Sequence, residues 1–130
     1  MSEVRSEFQY TDEHEWVETT ESGSVRIGIT DHAQDELGDI VFIGDLPDVG
    51  DRVEQGDAVG VVESTKATSD IFAPISGTIV SVNEELAEEP ERVNATPFGD
   101  GWLMEINPTS PGELEELLSA AQYSELLSQG

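Results

Sequence analysis

Apolar positions follow a strand rhythm through most of the chain and a helical one near its end. Val25, Ile27 and Ile29 alternate with polar or small residues, and residues 15–19 precede them across the turn-forming Glu21-Ser22-Gly23. This pattern predicts a hairpin with one buried face. Thr30 or Asp31 can cap a short helix that Gly38 ends. Residues 39–43, 58–63, 70–73, 78–82 and 101–106 read as further strands, with turns at 46–51, Gly56-Asp57 and 74–77. Residues 84–89 are short helical or irregular sequence.

The tail changes period. Ser110-Pro111-Gly112-Glu113 has the form of a capping box with proline at the first helical position, and Leu114, Leu117, Leu118 and Ala121 follow at helical spacing. The expectation is one terminal helix, over about 110–127, packed on a core of about 8–107. Fold class is therefore mainly β, a small barrel or sandwich of short twisted strands, with a short helix after the first hairpin and a C-terminal helical segment. The 130 residues fit a single domain. Residues 49–57 and 75–83 flank the 58–73 hairpin and form a candidate pseudo-repeat.

Charge narrows the function classes. Five Lys and Arg face 29 Asp and Glu, a formal net charge of −24, so direct binding to nucleic acid or to an anionic membrane is not expected. The acids are spread along the whole chain, which predicts a hydrated, self-repelling surface suited to high salt. There is no cysteine, which removes thiol nucleophiles and disulfides, and two histidines, His14 and His32, are too few for a zinc site. No metal-ligating residues are expected. The N-terminal Met1-Ser2-Glu3-Val4-Arg5 has no signal-like apolar core, so the cytoplasm is the expected location.

One lysine, Lys66, occurs in the chain, in Glu63-Ser64-Thr65-Lys66-Ala67-Thr68-Ser69-Asp70 between two strand-like runs. It is placed at a hairpin tip, with small neighbours that leave its amine open to a modifying enzyme. Chemistry that needs a mobile carrier attaches a long cofactor at such a point, because the hairpin fixes the base of the arm while the arm explores. Acylation would turn the amine into a neutral amide.

Several segments together resemble the H-protein family of the glycine cleavage system. They are residues 10–17 (Tyr-Thr-Asp-Glu-His-Glu-Trp-Val), 28–34, 37–42, 63–70 and Pro74-Ile75-Ser76-Gly77, followed by Asn94, Pro97, Gly101-Trp102 and Pro108-Thr109-Ser110-Pro111. The likeness covers roughly residues 8 to 127. Thr65 departs from the valine more usual in the family at that place, a change between β-branched residues of similar size.

The resemblance implies a barrel-sandwich hybrid of the lipoyl/biotinyl type and (R)-lipoate on Lys66, with no active site in the chain itself. The implied partners are a pyridoxal-phosphate glycine decarboxylase that loads an aminomethyl group, a folate-dependent aminomethyltransferase that removes it, a dihydrolipoyl dehydrogenase that reoxidises the dithiol, and a lipoate-attaching enzyme. Glu63, Ser64 and Ala67 are candidates for recognition by that last enzyme. Glu15, Asp70 and Trp16 are candidates for a cleft that shelters the arm. Two other classes compete: a lipoyl or biotinyl domain of another multienzyme complex, or a lipoate relay, would carry different cargo, and an unmodified interaction module would carry none.

Overall fold

The computed structural model describes residues 4–129, so Met1, Ser2, Glu3 and Gly130 lie outside the described residues. Among the described residues, nine strands form two antiparallel sheets. The larger contains β1 (Gln9–Tyr10), β2 (Glu15–Thr19), β3 (Val25–Ile29), β9 (Met104–Pro108), β8 (Gly77–Val82) and β5 (Arg52–Val53), in that order. The smaller has β6 (Ala58–Ser64) at its centre, with β4 (Ile40–Gly44) and β7 (Thr68–Phe72) as its edges. No closed barrel forms, and the sandwich agrees with the class expected from the strand pattern.

Alternation explains the filling of the sandwich. Val25, Ile27 and Ile29 of β3 meet Ile79 and Ile106 of the same sheet and Ile43, Val62 and Ile71 of the other in one buried cluster. The candidate pseudo-repeat segments pair with each other, Arg52 opposite Thr78 and Val53 opposite Gly77, at the base of the β6–β7 hairpin. A second cluster lies apart: Phe8, Tyr10, Trp16, Phe98 and Tyr123, with Phe8 stacked on Trp16 at 5.0 Å and Tyr10 on Tyr123 at 4.5 Å between ring centroids. Such pairs gain beyond area alone.

The helix after the first hairpin forms as its end signals predict. In α1 (Asp31–Leu37) the Thr30 hydroxyl accepts the Ala33 N–H, and Gly38 closes the helix at φ +79°, where a β-carbon would be strained. Short α2 (Arg92–Ala95) lies beside it and was not expected from sequence.

The tail differs from the expected single helix. A 3-10 turn over Pro111–Glu116 is followed by extended Leu117, and only from Ala120 does α3 (Ala120–Gln129) begin. The capping box does not close, because Glu113 turns away from Ser110 and accepts hydrogen bonds from Ser76 N–H at 2.7 Å and Ser76 O–H at 2.9 Å. A charge-assisted pair of bonds outcompetes a cap on one turn. Leu118 then bonds Tyr10 through both backbone groups, each at 2.8 Å, so the break hands Leu114 and Leu117 to the main core and Leu118 to the aromatic one.

Candidate functional site

Strands β6 and β7 carry Lys66 outward. Glu63 pairs with Thr68, and Ser64 N–H donates to the Ala67 carbonyl at 2.8 Å, leaving Thr65 and Lys66 as the tip. Ser64 Oγ accepts the N–H groups of Lys66 (3.2 Å) and Ala67 (3.0 Å). A side-chain oxygen is thus shaping a turn that has no glycine. Lys66 is exposed, and the ion pairs of the described residues do not include it. Its stem passes Gly38: a β-carbon there would lie 3.7 Å from Lys66 Cε.

A cavity of about 510 Å³ opens on the β7 side. Phe72, Ala73, Glu15, Gln55 and Leu117 are among its walls. Glu15 is only 2% exposed, yet it is an acid in a chain with abundant surface to put acids on. Its Oε1 accepts the Thr11 hydroxyl at 2.6 Å and its Oε2 accepts Phe72 N–H at 3.3 Å, so it ties the larger sheet to the edge of the smaller one. Burial pushes its pKa up to about 7, against the two hydrogen bonds, with Glu13 and Asp12 adding repulsion. Near neutral pH this carboxyl is poised between its two forms.

Asp70 stands exposed on β7, two residues before Phe72, so the two share one face of the strand while Ile71 enters the core. It does not line the cavity, but it lies on the path from the lysine to it. Trp16 corrects the expectation that placed it in the cleft. Its ring is fully buried in the aromatic cluster and its indole N–H donates to the Pro97 carbonyl at 2.8 Å. Adjacent strand residues face opposite ways, so Glu15 reaching the cavity turns Trp16 from it.

Glu63, Ser64 and Ala67 do surround the lysine, with the Ser64 hydroxyl engaged within the turn itself. The rings of His14 and His32 lie 4.7 Å apart between centroids, tilted by 37°; His14 Nδ1 lies 2.8 Å from the Tyr123 hydroxyl, which also meets Thr30. Burial first, and then His32, lowers the His14 pKa. Thr11, Gln55 and Leu117 also line the cleft; Thr11 lies in the 10–17 segment of the resemblance and Leu117 in the apolar spacing of the tail, but neither pattern marks them as cleft residues.

The site thus comprises an exposed lysine at one end of the β6–β7 hairpin and, towards the far end of β7, a cavity holding one buried acid. The glycine cleavage H-protein family model matches residues 8–130. The chain belongs to that family. It is 51% identical over 123 residues to a glycine cleavage system H protein of Saccharophagus degradans, covering 95% of this chain and 94% of the relative. Another, of Halorhodospira halophila, is 50% identical over 128 residues and 98% of each chain. The crystal structure of a glycine cleavage system H protein from Mycobacterium marinum superposes with a TM-score of 0.87 at 40% identity, covering 96% of this chain and 99% of that one. The family supplies the lipoyl carrier of the glycine cleavage system, and membership makes this chain such a carrier and a partner of the system's other components.

Proposed function

We propose that Lys66 bears (R)-lipoate through an amide and that the arm moves between an extended position and the Glu15 cavity. The observation carrying this is the fit of lengths. A lysine with a lipoyl chain reaches roughly 14 Å when extended, and the four steps along the five residues from Thr68 to Phe72 span about 13 Å at strand rise. An arm laid along β7 therefore ends at Phe72, where Glu15 is held. When bound, the group supplies a strained disulfide that opens, holds cargo and recloses. The protein supplies position, water exclusion and charge.

Glu15 and Asp70 serve in this scheme as acceptors for a cationic cargo group, one enclosed at the end of the path and one exposed along it. Charge-assisted hydrogen bonds are stronger where water is excluded. The chain itself is non-catalytic and acts as one carrier domain, loaded by a glycine decarboxylase, unloaded by an aminomethyltransferase and reoxidised by a dihydrolipoyl dehydrogenase. Glu63, Ser64 and Ala67 present Lys66 to the lipoate-attaching enzyme. It works in the cytoplasm without nucleic acid or membrane; among the described residues no helix is long and apolar enough to cross a membrane. Likeness at about half identity over nearly the whole chain favours this over a lipoyl or biotinyl domain of another complex.

The cleft is tested by Glu15→Gln with Asp70→Asn. Lipoylation should be unchanged, and the glycine-loaded protein should release formaldehyde faster than wild type in the same buffer. Equal rates would leave both carboxylates as surface and seam charges with no sheltering role.

We also propose that the acidic surface adapts the fold to salt. Five Lys and Arg stand against 29 Asp and Glu, so most carboxylates rely on mobile counter-ions. The thermal midpoint should climb steadily from dilute buffer to molar potassium chloride. A flat or falling midpoint would contradict the salt-adapted assignment.

A further inference from the structure

Asn94 lies on α2, remote in sequence from the lysine, and every hydrogen-bonding direction of its side-chain amide that points inward is used. Its Nδ2 donates to the Gly38 carbonyl at 2.9 Å and to Gln34 Oε1 at 2.8 Å, while its Oδ1 accepts Ile40 N–H at 2.9 Å. Gln34 is itself held by Asp31 at 2.8 Å. Between the two clamped backbone groups sits Asp39, whose carbonyl accepts Thr65 N–H at 3.1 Å. That bond ties the lysine turn to something outside its own hairpin. Gly38, clamped by the same amide, borders the Lys66 stem.

We infer that Asn94 is a positioning residue for Lys66: it fixes the 38–40 corner, and the corner fixes the lysine turn through Asp39 and Thr65. The inference rests on Lys66 being the residue that is acylated. Asn94, on the four-residue helix α2, makes two of its three bonds to the corner, at Gly38 and at Ile40, the first residue of β4, 56 and 54 positions away in the chain. Without this tie the lysine turn loses its last bond to the β4 side, and beyond the Ile40–Ser64 pair the tip is held only by its own hairpin. An enzyme that must find the lysine in one conformation then meets a smaller competent fraction, which raises its apparent KM and leaves the chemical step as it was.

The test compares wild type with Asn94→Asp, Gln34→Ala and, as a control, Glu113→Gln. Asn94→Asp keeps the acceptor for Ile40 N–H and loses both donors, setting an oxygen against the Gly38 carbonyl. Gln34→Ala removes one partner of the amide and disturbs the fold least. Glu113→Gln loosens the Ser76 clamp, away from the lysine. Three quantities are read: amide hydrogen exchange at Thr65, Lys66 and Ala67 against Val61 and Val62; KM and kcat for attachment of free lipoate by a lipoate–protein ligase; and acetylation of Lys66 by a small N-hydroxysuccinimide ester.

Asn94→Asp should speed exchange at the lysine turn alone, raise KM about five- to tenfold with kcat held within about twofold, and leave acetylation by the small reagent unchanged. Gln34→Ala should move the same way by less, and it carries the test if Asn94→Asp does not fold. Glu113→Gln should move neither the exchange at 65–67 nor KM. Unchanged exchange at 65–67 and unchanged KM in a folded Asn94 or Gln34 variant would overturn the inference, as would an equal KM rise in the control. Wild type that accepts no lipoate at Lys66 would instead refute the acylation reading, and the exchange data would still decide the positioning role.

Discussion

Lys66→Arg should abolish carriage while leaving the fold intact. The side chain is exposed at the tip, with its stem passing beside Gly38, so its replacement should change stability by no more than about 0.5 kcal/mol. Arginine keeps the positive charge but offers a guanidinium that is always protonated and not an amine nucleophile. No other lysine exists to substitute. Lipoylation and glycine-dependent electron transfer should both fall to background in a protein whose thermal midpoint matches wild type. A folded arginine variant that still accepted lipoate would end the assignment of the arm to this residue.

Glu15→Gln should stabilise the protein at pH 8. The folded-state pKa of Glu15 lies at about 7, above its model-peptide value of 4.5. A carboxyl raised in this way favours the folded state below pH 4.5, and that contribution is lost as the pH climbs through 7. A difference of one unit is worth about 1.4 kcal/mol, so ionised Glu15 costs the fold on the order of 3 kcal/mol under alkaline conditions. Glutamine carries no charge to desolvate. It keeps the Phe72 N–H bond through its carbonyl, but Thr11 Oγ1 already accepts the Glu13 and Glu15 amides at 3.2 and 3.1 Å, which offsets part of the gain. A net gain of about 1–2 kcal/mol, or several degrees in midpoint, is expected at pH 8. At pH 5 the order should be level or slightly reversed. Thermal melts of both proteins at the two pH values in the same high-salt buffer check this; a variant less stable at pH 8 would mean that Glu15 is a structural seam bond whose charge costs nothing. An acid that destabilises its own fold yet faces a cavity is the usual mark of a working group.

What could be read from the chain was what is local. Alternation at Val25, Ile27 and Ile29 is imposed by one strand facing one core, and Thr30 and Gly38 act on backbone within a few residues, so each signal is complete where it stands. Lys66 was legible because it is chemically alone and sits between two strand patterns. The tail shows the opposite case. Its helical spacing is real, but Ser76, distant in the chain, takes Glu113 away, and the helix breaks. Glu15 looks like any of 29 acids until β7 is laid against it, and Trp16 could be assigned to the right strand but not to the right side of the sheet without the register. The cavity joins Thr11, Gln55, Phe72 and Leu117, which no window of sequence brings together. Asn94 is legible only as a residue of the resemblance, since its three partners lie on α1, at the glycine that closes α1 and at the start of β4.

The central claim is a lipoyl amide on Lys66, and peptide mass mapping of the protein purified from its native cells tests it most directly. The peptide spanning Lys66 should carry the mass of one lipoyl group, reducible by two hydrogens on treatment with a disulfide reductant, with fragment ions placing it on the lysine. A native peptide of unmodified mass, or one carrying biotin, would contradict the account.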